Sequence, residues 1–246
     1  MTRSPWLKQF EQRNVLKVIS GLNNFDRERV AAIVKAAEAG GATFVDIAAA
    51  PDLIRYVRTL IDIPICVSAV EPEKFVQAVQ AGADSIEIGN FDSFYAQGRR
   101  FEGPEVLALT LATRTLLPDT PLSVTVPHIL PLDEQVALAE ALVAAGADTI
   151  QTEGGTSSQP THAGTLGLIE KAAPTLAAAH SISQAVSVPV LCASGLSSVT
   201  VPMAIAAGAS GVGVGSAVNQ LNDEVAMVAA VKSLVEALSS QAPVVG

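Results

Sequence analysis

The sequence is poor in aromatic residues, in cysteine and in long uninterrupted apolar runs. Aromatic side chains make up 4% of its 246 residues, and Gly, Asp, Glu or Pro interrupts every hydrophobic stretch. Because a membrane-spanning helix needs about 18 or more apolar residues in a row, the sequence predicts no membrane span. The two cysteines, Cys66 and Cys192, lie far apart in predicted strands. We expect both to be buried and reduced, as in a cytosolic protein.

Positive charge is also scarce. The chain carries 15 Lys and Arg against 24 Asp and Glu, a net charge of −9, and no basic cluster exceeds Arg99-Arg100. Nucleic-acid binding requires a broad positive surface, so we expect no nucleic-acid partner. Residues 1–8 lack the apolar core of a secretion signal, which predicts a cytoplasmic protein.

Small and aliphatic residues are abundant, and they form alternating strand-like and helix-like segments. Four predicted helices end in Ala-Gly before a small residue, where Gly can take the left-handed turn back into a sheet. Strands are predicted at 15–21, 42–48, 64–70, 85–89, 121–127, 148–153, 188–194 and 210–215. Helices are predicted at 27–38, 51–61, 72–80, 104–116, 133–144, 166–185, 199–206 and 223–238. The series predicts one α/β domain over residues 1–246, with a short flexible tail at 241–246.

Polar residues inside the predicted strands distinguish an open sheet from a closed barrel. The strands of an open sheet covered on both faces are apolar on both sides, whereas the barrel interior collects polar side chains near its catalytic end. Here apolar residues alternate with Lys17, Asp46, Ser68, Glu87, Ser123, Thr125, Gln151, Glu153, Gly213 and Gly215. The pattern favours a (β/α)8 TIM barrel whose interior these residues face.

Small residues follow the last two predicted strands, at 192–198 and 211–217. Glycines let the backbone approach an anion, and free N–H groups at the start of a following helix can donate to it. We therefore expect a TIM barrel of the phosphate-binding type. The predicted phosphate-binding residues are Ser194, Gly195, Gly213, Gly215 and Ser216. Close packing of neighbouring strands is the alternative explanation for these glycines.

One lysine and three carboxylates are predicted to converge in the barrel interior. They are Lys17, Asp46, Glu87 and Glu153, with Gln151 beside them. A crowded carboxylate can transfer protons, and a desolvated lysine can form a Schiff base or stabilise an enolate. The structural alternative is that Lys17 neutralises the interior by pairing with Asp46 or Glu87. Both interpretations stay open at this point.

Glu153 and His128 are the strongest candidates for chemistry. Glu153 precedes a loop of small residues, 154–158, that leaves its carboxylate accessible for ligand contact or proton transfer. His128 follows strand five and is a candidate acid or base, or a loop imidazole bonded to backbone. The long loop 154–165 is the predicted lid. The histidines and cysteines lack metal-ligand spacing, so no metal site is predicted.

An Asn-Phe-Asp triplet occurs twice, at 24–26 and at 90–92, after strands one and four. We expect both triplets to cap helices or form turns rather than to contact a ligand. The stretch 90–102 also holds Phe91, Phe94, Tyr95 and Phe101. These rings either close over a ligand or pack against another subunit, so the sequence is compatible with a homo-oligomer.

Four long segments resemble one known family: 18–26, 87–95, 123–128 and 151–156. Over nearly the whole chain, the sequence is similar to the cyanobacterial and plastid family called hypothetical chloroplast reading frame twenty-three, also termed a domain of unknown function. The resemblance implies a barrel fold and a location in the cyanobacterial cytosol or plastid stroma. It implies no particular activity and no catalytic residues.

The leading hypothesis is an enzyme that isomerises, condenses or cleaves a small phosphorylated metabolite. Its predicted catalytic residues are Glu153, Lys17, Glu87, His128 and Asp46, with Glu153 moving a proton and His128 assisting. One alternative is a metabolite sensor or interaction protein that binds such a ligand without turning it over. Another is a barrel that binds flavin mononucleotide through the same phosphate site.

Overall fold

The computed structural model describes residues 5–95 and 97–239 of the chain. Within these residues, eight parallel strands pair in sequence order, and the last strand pairs with the first to close a barrel. The strands are β1 (Val15–Ile19), β2 (Phe44–Ala48), β3 (Ile65–Ala69), β4 (Ser85–Ile88), β5 (Leu122–Thr125), β6 (Thr149–Gln151), β7 (Val190–Ala193) and β8 (Gly211–Val214). The predicted TIM barrel is confirmed. The predicted tail at 241–246 lies outside the described residues.

Helices follow the strands and surround the barrel. They are α1 (Arg27–Gly40), α2 (Pro51–Arg58), α3 (Pro72–Gln80), α4 (Asp92–Tyr95), α5 (Gly103–Leu116), α6 (Leu132–Ala144), α7 (Gly164–Ala185), α8 (Val201–Ala206), α9 (Ser216–Asn219) and α10 (Glu224–Ser239). A 3₁₀ helix, Pro5–Gln12, precedes β1. The short helices α4 and α9 were not predicted, and both begin at the carboxyl ends of strands.

The predicted Ala-Gly helix endings are confirmed by their backbone angles. Gly41 follows α1 with φ 87°, and its N–H donates to the carbonyls of Ala37 and Glu38. The corresponding Gly82, Gly146 and Gly208 also have positive φ. A residue in the left-handed conformation at this position ends the helix and turns the chain into the next strand. Glycine adopts this conformation more readily than residues with a side chain.

The apolar core lies between the barrel and its helices. Strand residues such as Val18, Val45 and Ile86 are fully or almost fully buried in it. A smaller cluster, in which Phe10 packs with Phe44 and Leu191, includes residues at the amino ends of the strands. Cys66 and Cys192 are both free and buried, as predicted. Among the described helices, none is long and apolar enough to cross a membrane.

Candidate functional site

Lys17 forms a buried ion pair in the barrel interior. Its Nζ lies 2.6 Å from Glu87 Oε2 and donates to Gln151 Oε1 at 3.0 Å. Gln151 Nε2 in turn donates to Glu87 Oε1 at 2.8 Å and to Thr125 Oγ1 at 3.1 Å. Burial disfavours the Lys17 ammonium, but the negative charges of Asp46 and Glu87 outweigh burial, so the pKa of Lys17 is raised. Lys17 therefore stays protonated.

Asp46 is also fully buried in the barrel. Its Oδ1 accepts a hydrogen bond from Ser68 Oγ at 2.6 Å, and Asn90 Nδ2 donates to Ser68 Oγ at 3.0 Å. Burial raises the pKa of Asp46 to about 6, with Lys17 opposing the rise and Glu87 adding to it. We call Lys17, Asp46, Glu87 and Gln151 the lumen cluster. Lys17, Glu87 and Gln151 meet as predicted, and their pairing favours the structural interpretation of Lys17. Glu153 was predicted to converge with them but bonds instead to residues of the loops after β4 and β5.

Glu153 lies two residues beyond β6 and is only 4% exposed. Its Oε1 accepts from Tyr95 Oη at 2.7 Å and from the His128 backbone N–H at 3.2 Å, and it lies 3.2 Å from His128 Nδ1. Its Oε2 accepts from the Asp92 N–H at 3.3 Å. Three residues from the loops after β4 and β5 thus meet at the Glu153 carboxylate. We call Asp92, Tyr95, His128 and Glu153 the rim cluster.

The pKa values of the rim cluster depend on its shared negative charge. Burial raises the pKa of Glu153, the bond from His128 opposes the rise, and the charge of Asp92 adds to it. For His128, burial lowers the pKa, but Glu153 and Asp92 outweigh it and leave the pKa raised. Burial and Glu153 also raise the pKa of Tyr95, so its hydroxyl keeps its proton and donates. The Glu153–His128 pair can share and transfer a proton.

The loops after β7 and β8 border a cavity of about 150 Å³. Ser194 and Gly195 both have left-handed backbone, with φ 76° and 75°. Gly215 and Ser216 lie where α9 begins. Within the described part of the chain, the N–H groups of Gly195 and Ser216 donate to no acceptor. The described residues lining the cavity are Ile19, Asn90, Asp92, Ser93, Gln151, Thr152, Glu153, Thr156, Ala193, Ser194, Gly195, Gly215 and Ser216.

The remaining predicted site residues do not line this cavity in the described structure. Gly213 is packed within the barrel, where a Cβ would stand 2.8 Å from Ala193 Cβ and 3.1 Å from Ile19 Cδ1. Close packing accounts for this glycine, which was the stated alternative. Lys17, Asp46 and Glu87 also lie outside the lining. Gln151 and Asn90 connect them to it, because both line the cavity and bond to the lumen cluster.

Sequence reasoning missed a second carboxylate at the rim. Asp92 was expected to cap a helix, yet its Oδ2 accepts from Ser194 Oγ at 3.1 Å and its Oδ1 lies 3.5 Å from His128 Nδ1. Ligand atoms of Asp92, His128 and Glu153 all lie within 4.8 Å of one another, a grouping that could hold a metal ion. Because the three come from different strand ends, no sequence spacing announces them.

Comparison with known families agrees with the resemblance noted from the sequence. A family described as "Protein of unknown function (DUF561)" matches residues 3–244. The chain belongs to this family. The DUF561 match thus includes every strand of the barrel and the loops after β7 and β8. Two similar proteins are "Uncharacterized protein ycf23" of Cyanophora paradoxa and of Pyropia yezoensis. The first is 50% identical to this chain, and the aligned region covers 76% of this chain and 77% of that protein. The second is 40% identical, and the aligned region covers 93% of this chain and 84% of that protein.

Solved structures similar to this DUF561 chain are TIM-barrel enzymes. Thiamine phosphate pyrophosphorylase from Pyrococcus furiosus superposes with a TM-score of 0.60 at 18% identity, over 93% of this chain and 97% of that one. (S)-3-O-geranylgeranylglyceryl phosphate synthase from Thermoplasma acidophilum, in complex with sn-glycerol-1-phosphate, gives 0.60 at 14% identity, over 97% and 100%. At these identities the similarity establishes the fold alone.

Proposed function

We propose that this chain binds a small phosphorylated metabolite at the carboxyl ends of the barrel strands. The phosphate would lie at Ser194, Gly195, Gly215 and Ser216. The observation that carries the proposal is that these four residues line one cavity together with Glu153. The unpaired N–H groups of Gly195 and Ser216 supply donors for phosphate oxygens. One of the two similar enzymes is named for thiamine phosphate, and the other is in complex with sn-glycerol-1-phosphate, which supports this ligand class.

The rim cluster would carry the chemistry, as an isomerisation, condensation or cleavage. Glu153 would transfer the proton, because a buried carboxylate with a raised pKa is suited to acid–base catalysis. His128 would assist through its contact with Glu153, and Tyr95 would hold the carboxylate in place. The lumen residues Lys17, Asp46 and Glu87 would act from below, by fixing Gln151 and Asn90 at the cavity floor.

A thermal-shift screen of phosphorylated metabolites tests the binding site. A ligand that binds the folded state raises the unfolding temperature. Gly215→Asp should abolish the shift, since a Cβ there meets no atom closer than 3.5 Å and the added carboxylate would enter the cavity. Ser210→Asp is the matched control, because it adds the same charge just before the other end of β8. A shift that survives Gly215→Asp would place the phosphate elsewhere.

The alternative function, a sensor that binds without turnover, is distinguished at Glu153. Glu153→Gln preserves shape and removes the charge, so an enzyme should keep its ligand and lose turnover by about 100-fold or more. Unchanged turnover would refute the catalytic role of Glu153. Flavin mononucleotide is the less favoured ligand, because the described lining contains no aromatic ring on which a flavin could stack. A purified protein of yellow colour would reverse that preference.

A further inference from the structure

The carboxylate of Asp92 joins two loops at the phosphate subsite. Its Oδ2 accepts from Ser194 Oγ at 3.1 Å, and its Oδ1 accepts from Ser157 Oγ at 2.9 Å. The Thr156 N–H donates to the same Ser194 oxygen at 2.9 Å. A serine hydroxyl has one proton to donate. While that proton is directed to Asp92, Ser194 has none for a phosphate oxygen.

Gly155 lies directly on the loop after β7. A Cβ built at Gly155 would stand 2.4 Å from Gly195 Cα and 2.5 Å from Gly195 N. Only glycine permits backbones to approach so closely. Segment 155–157 therefore lies against the same N–H that is assigned to the phosphate.

This segment lies between two fixed points. Gly154 precedes it with φ 124°, a conformation that favours glycine. Beyond it, Ser158 Oγ donates to the Glu170 carbonyl at 3.2 Å, and the Thr161 N–H donates to the Glu170 carboxylate at 2.8 Å. These bonds hold the rest of the loop on α7. Release of the Asp92 contacts thus requires only residues 155–157 to move, rather than the whole predicted lid.

The Asp92 carboxylate and a ligand's phosphate are both negatively charged and cannot both accept the Ser194 proton. A phosphate bonded to Ser194 would lie beside the Asp92 carboxylate, and the described cavity lining includes no lysine or arginine. The side chain of Lys171 packs against Gly195, and His128 Nδ1 lies 3.5 Å from Asp92 Oδ1, but neither residue lines the cavity. Like charges in a partly desolvated site repel strongly. Either the phosphate or Asp92 must leave Ser194.

We propose that Asp92 is an internal competitor for the ligand's phosphate. It accepts the Ser194 proton and holds segment 155–157 over the β7 loop, and a phosphate monoester that binds Ser194 displaces it. Binding of the phosphate then frees segment 155–157. This inference rests on the phosphate site proposed above and adds its regulation: Asp92 and segment 155–157 hold Ser194 until a phosphate displaces them.

Titration calorimetry with inorganic phosphate tests the competition. Asp92→Asn removes the charge while keeping the shape, and should bind phosphate about tenfold more tightly than the unchanged chain. Ser157→Ala breaks only the bond to the loop and should tighten binding by about two- to threefold. Asp26→Asn is the matched control, since Asp26 occupies the same place in the other Asn-Phe-Asp triplet and caps α1 instead. Its phosphate affinity should not change.

Unchanged or weaker phosphate binding by Asp92→Asn would refute the proposal that Asp92 competes with the phosphate. If Asp92→Asn does not fold, unchanged or weaker phosphate binding by Ser157→Ala would refute the proposal instead. Amide exchange gives a second readout: saturating phosphate should speed exchange of the Thr156 N–H, which loses Ser194 as acceptor, and slower exchange would contradict the proposal. Gly215→Asp separates the two claims. Phosphate binding that survives it refutes the phosphate site, whereas binding that it abolishes, without tightening by Asp92→Asn, refutes only the competitor.

Discussion

The lumen cluster and the rim cluster contain similar residue types and differ in how their charge is balanced. In the lumen, the Lys17 ammonium pairs with Glu87 at 2.6 Å, and Gln151 bonds to both. At the rim, Asp92 and Glu153 share one imidazole, and no lysine or arginine joins them among the described lining residues. The lumen is buried and its charges are compensated, whereas the rim is negative and borders the cavity at the carboxyl ends of the strands. Lys17 and Glu87 line a second cavity, toward the amino ends of the strands.

This difference indicates where a ligand can act. A buried ion pair with its hydrogen bonds satisfied costs much to disturb, so it is suited to holding a barrel together. A carboxylate with a raised pKa beside a cavity can exchange a proton with a ligand at small cost. The comparison therefore predicts that lumen substitutions change stability and that rim substitutions change proton affinity and ligand binding.

The largest effect should follow from removal of the lumen cation. Lys17→Met leaves Glu87 buried and uncompensated, and should lower the free energy of unfolding by about 3–5 kcal/mol in urea titrations. The double variant Lys17→Met, Glu87→Leu removes both charges and should recover part of this loss. A double variant less stable than Lys17→Met alone would show that Glu87 is held by something other than the ion pair.

A smaller lumen effect should appear in the pH dependence of stability. The pKa of Asp46 is about 6 in the folded chain against an ordinary value of 3.8, so the folded state binds this proton more tightly. The stability that Asp46 contributes is full below pH 3.8 and is lost as the pH rises through about 6. The free energy of unfolding of the natural chain minus that of Asp46→Asn should therefore rise by up to about 3 kcal/mol from pH 7 to pH 4. A flat difference would mean that Asp46 is ionised throughout.

The smallest effect on stability is expected at the rim. Tyr95→Phe removes the hydroxyl that donates to Glu153 at 2.7 Å and should lower the free energy of unfolding by about 1 kcal/mol. Because that bond favours the ionised carboxylate, the substitution should raise the pKa of Glu153 further. A ¹³C NMR titration of the Glu153 carboxyl group measures this pKa. A lowered pKa would contradict the assigned direction of the hydrogen bond.

The two Asn-Phe-Asp triplets show how far local sequence predicts a role. Asp26 caps α1 as expected, accepting from the N–H groups of Glu28 and Arg29, and Phe25 is 62% exposed. Asp92 instead bonds across the cavity, and Phe91 is fully buried against Phe101 at a ring separation of 4.5 Å. Identical triplets differ because their surroundings differ, and those surroundings come from distant strands.

The fold, in contrast to the role of Asp92, could be predicted because its signals are local in the sequence. Strand alternation and Ala-Gly helix endings are local signals, and the alternating Lys17, Asp46 and Glu87 indicated a polar interior before any contact was known. Glu153 and His128 could be predicted as site residues because each stands at the carboxyl end of a predicted strand. The bonds from Tyr95 and Asp92 to Glu153 were missed, since they join the loop after β4 to that after β6. Residues so far apart in the sequence leave no periodic pattern from which their contact could be predicted.

A backbone-amide NMR titration with inorganic phosphate tests the proposed phosphate site most directly. We expect the largest chemical-shift changes at Gly195, Gly215 and Ser216, with smaller changes in segment 155–157. A second cavity, bordered by Phe10, Ser85 and Thr149, includes residues at the amino ends of the strands and serves as the internal comparison. Shifts confined to that cavity, or absent at the three rim amides, would contradict a phosphate site at the carboxyl ends of the strands.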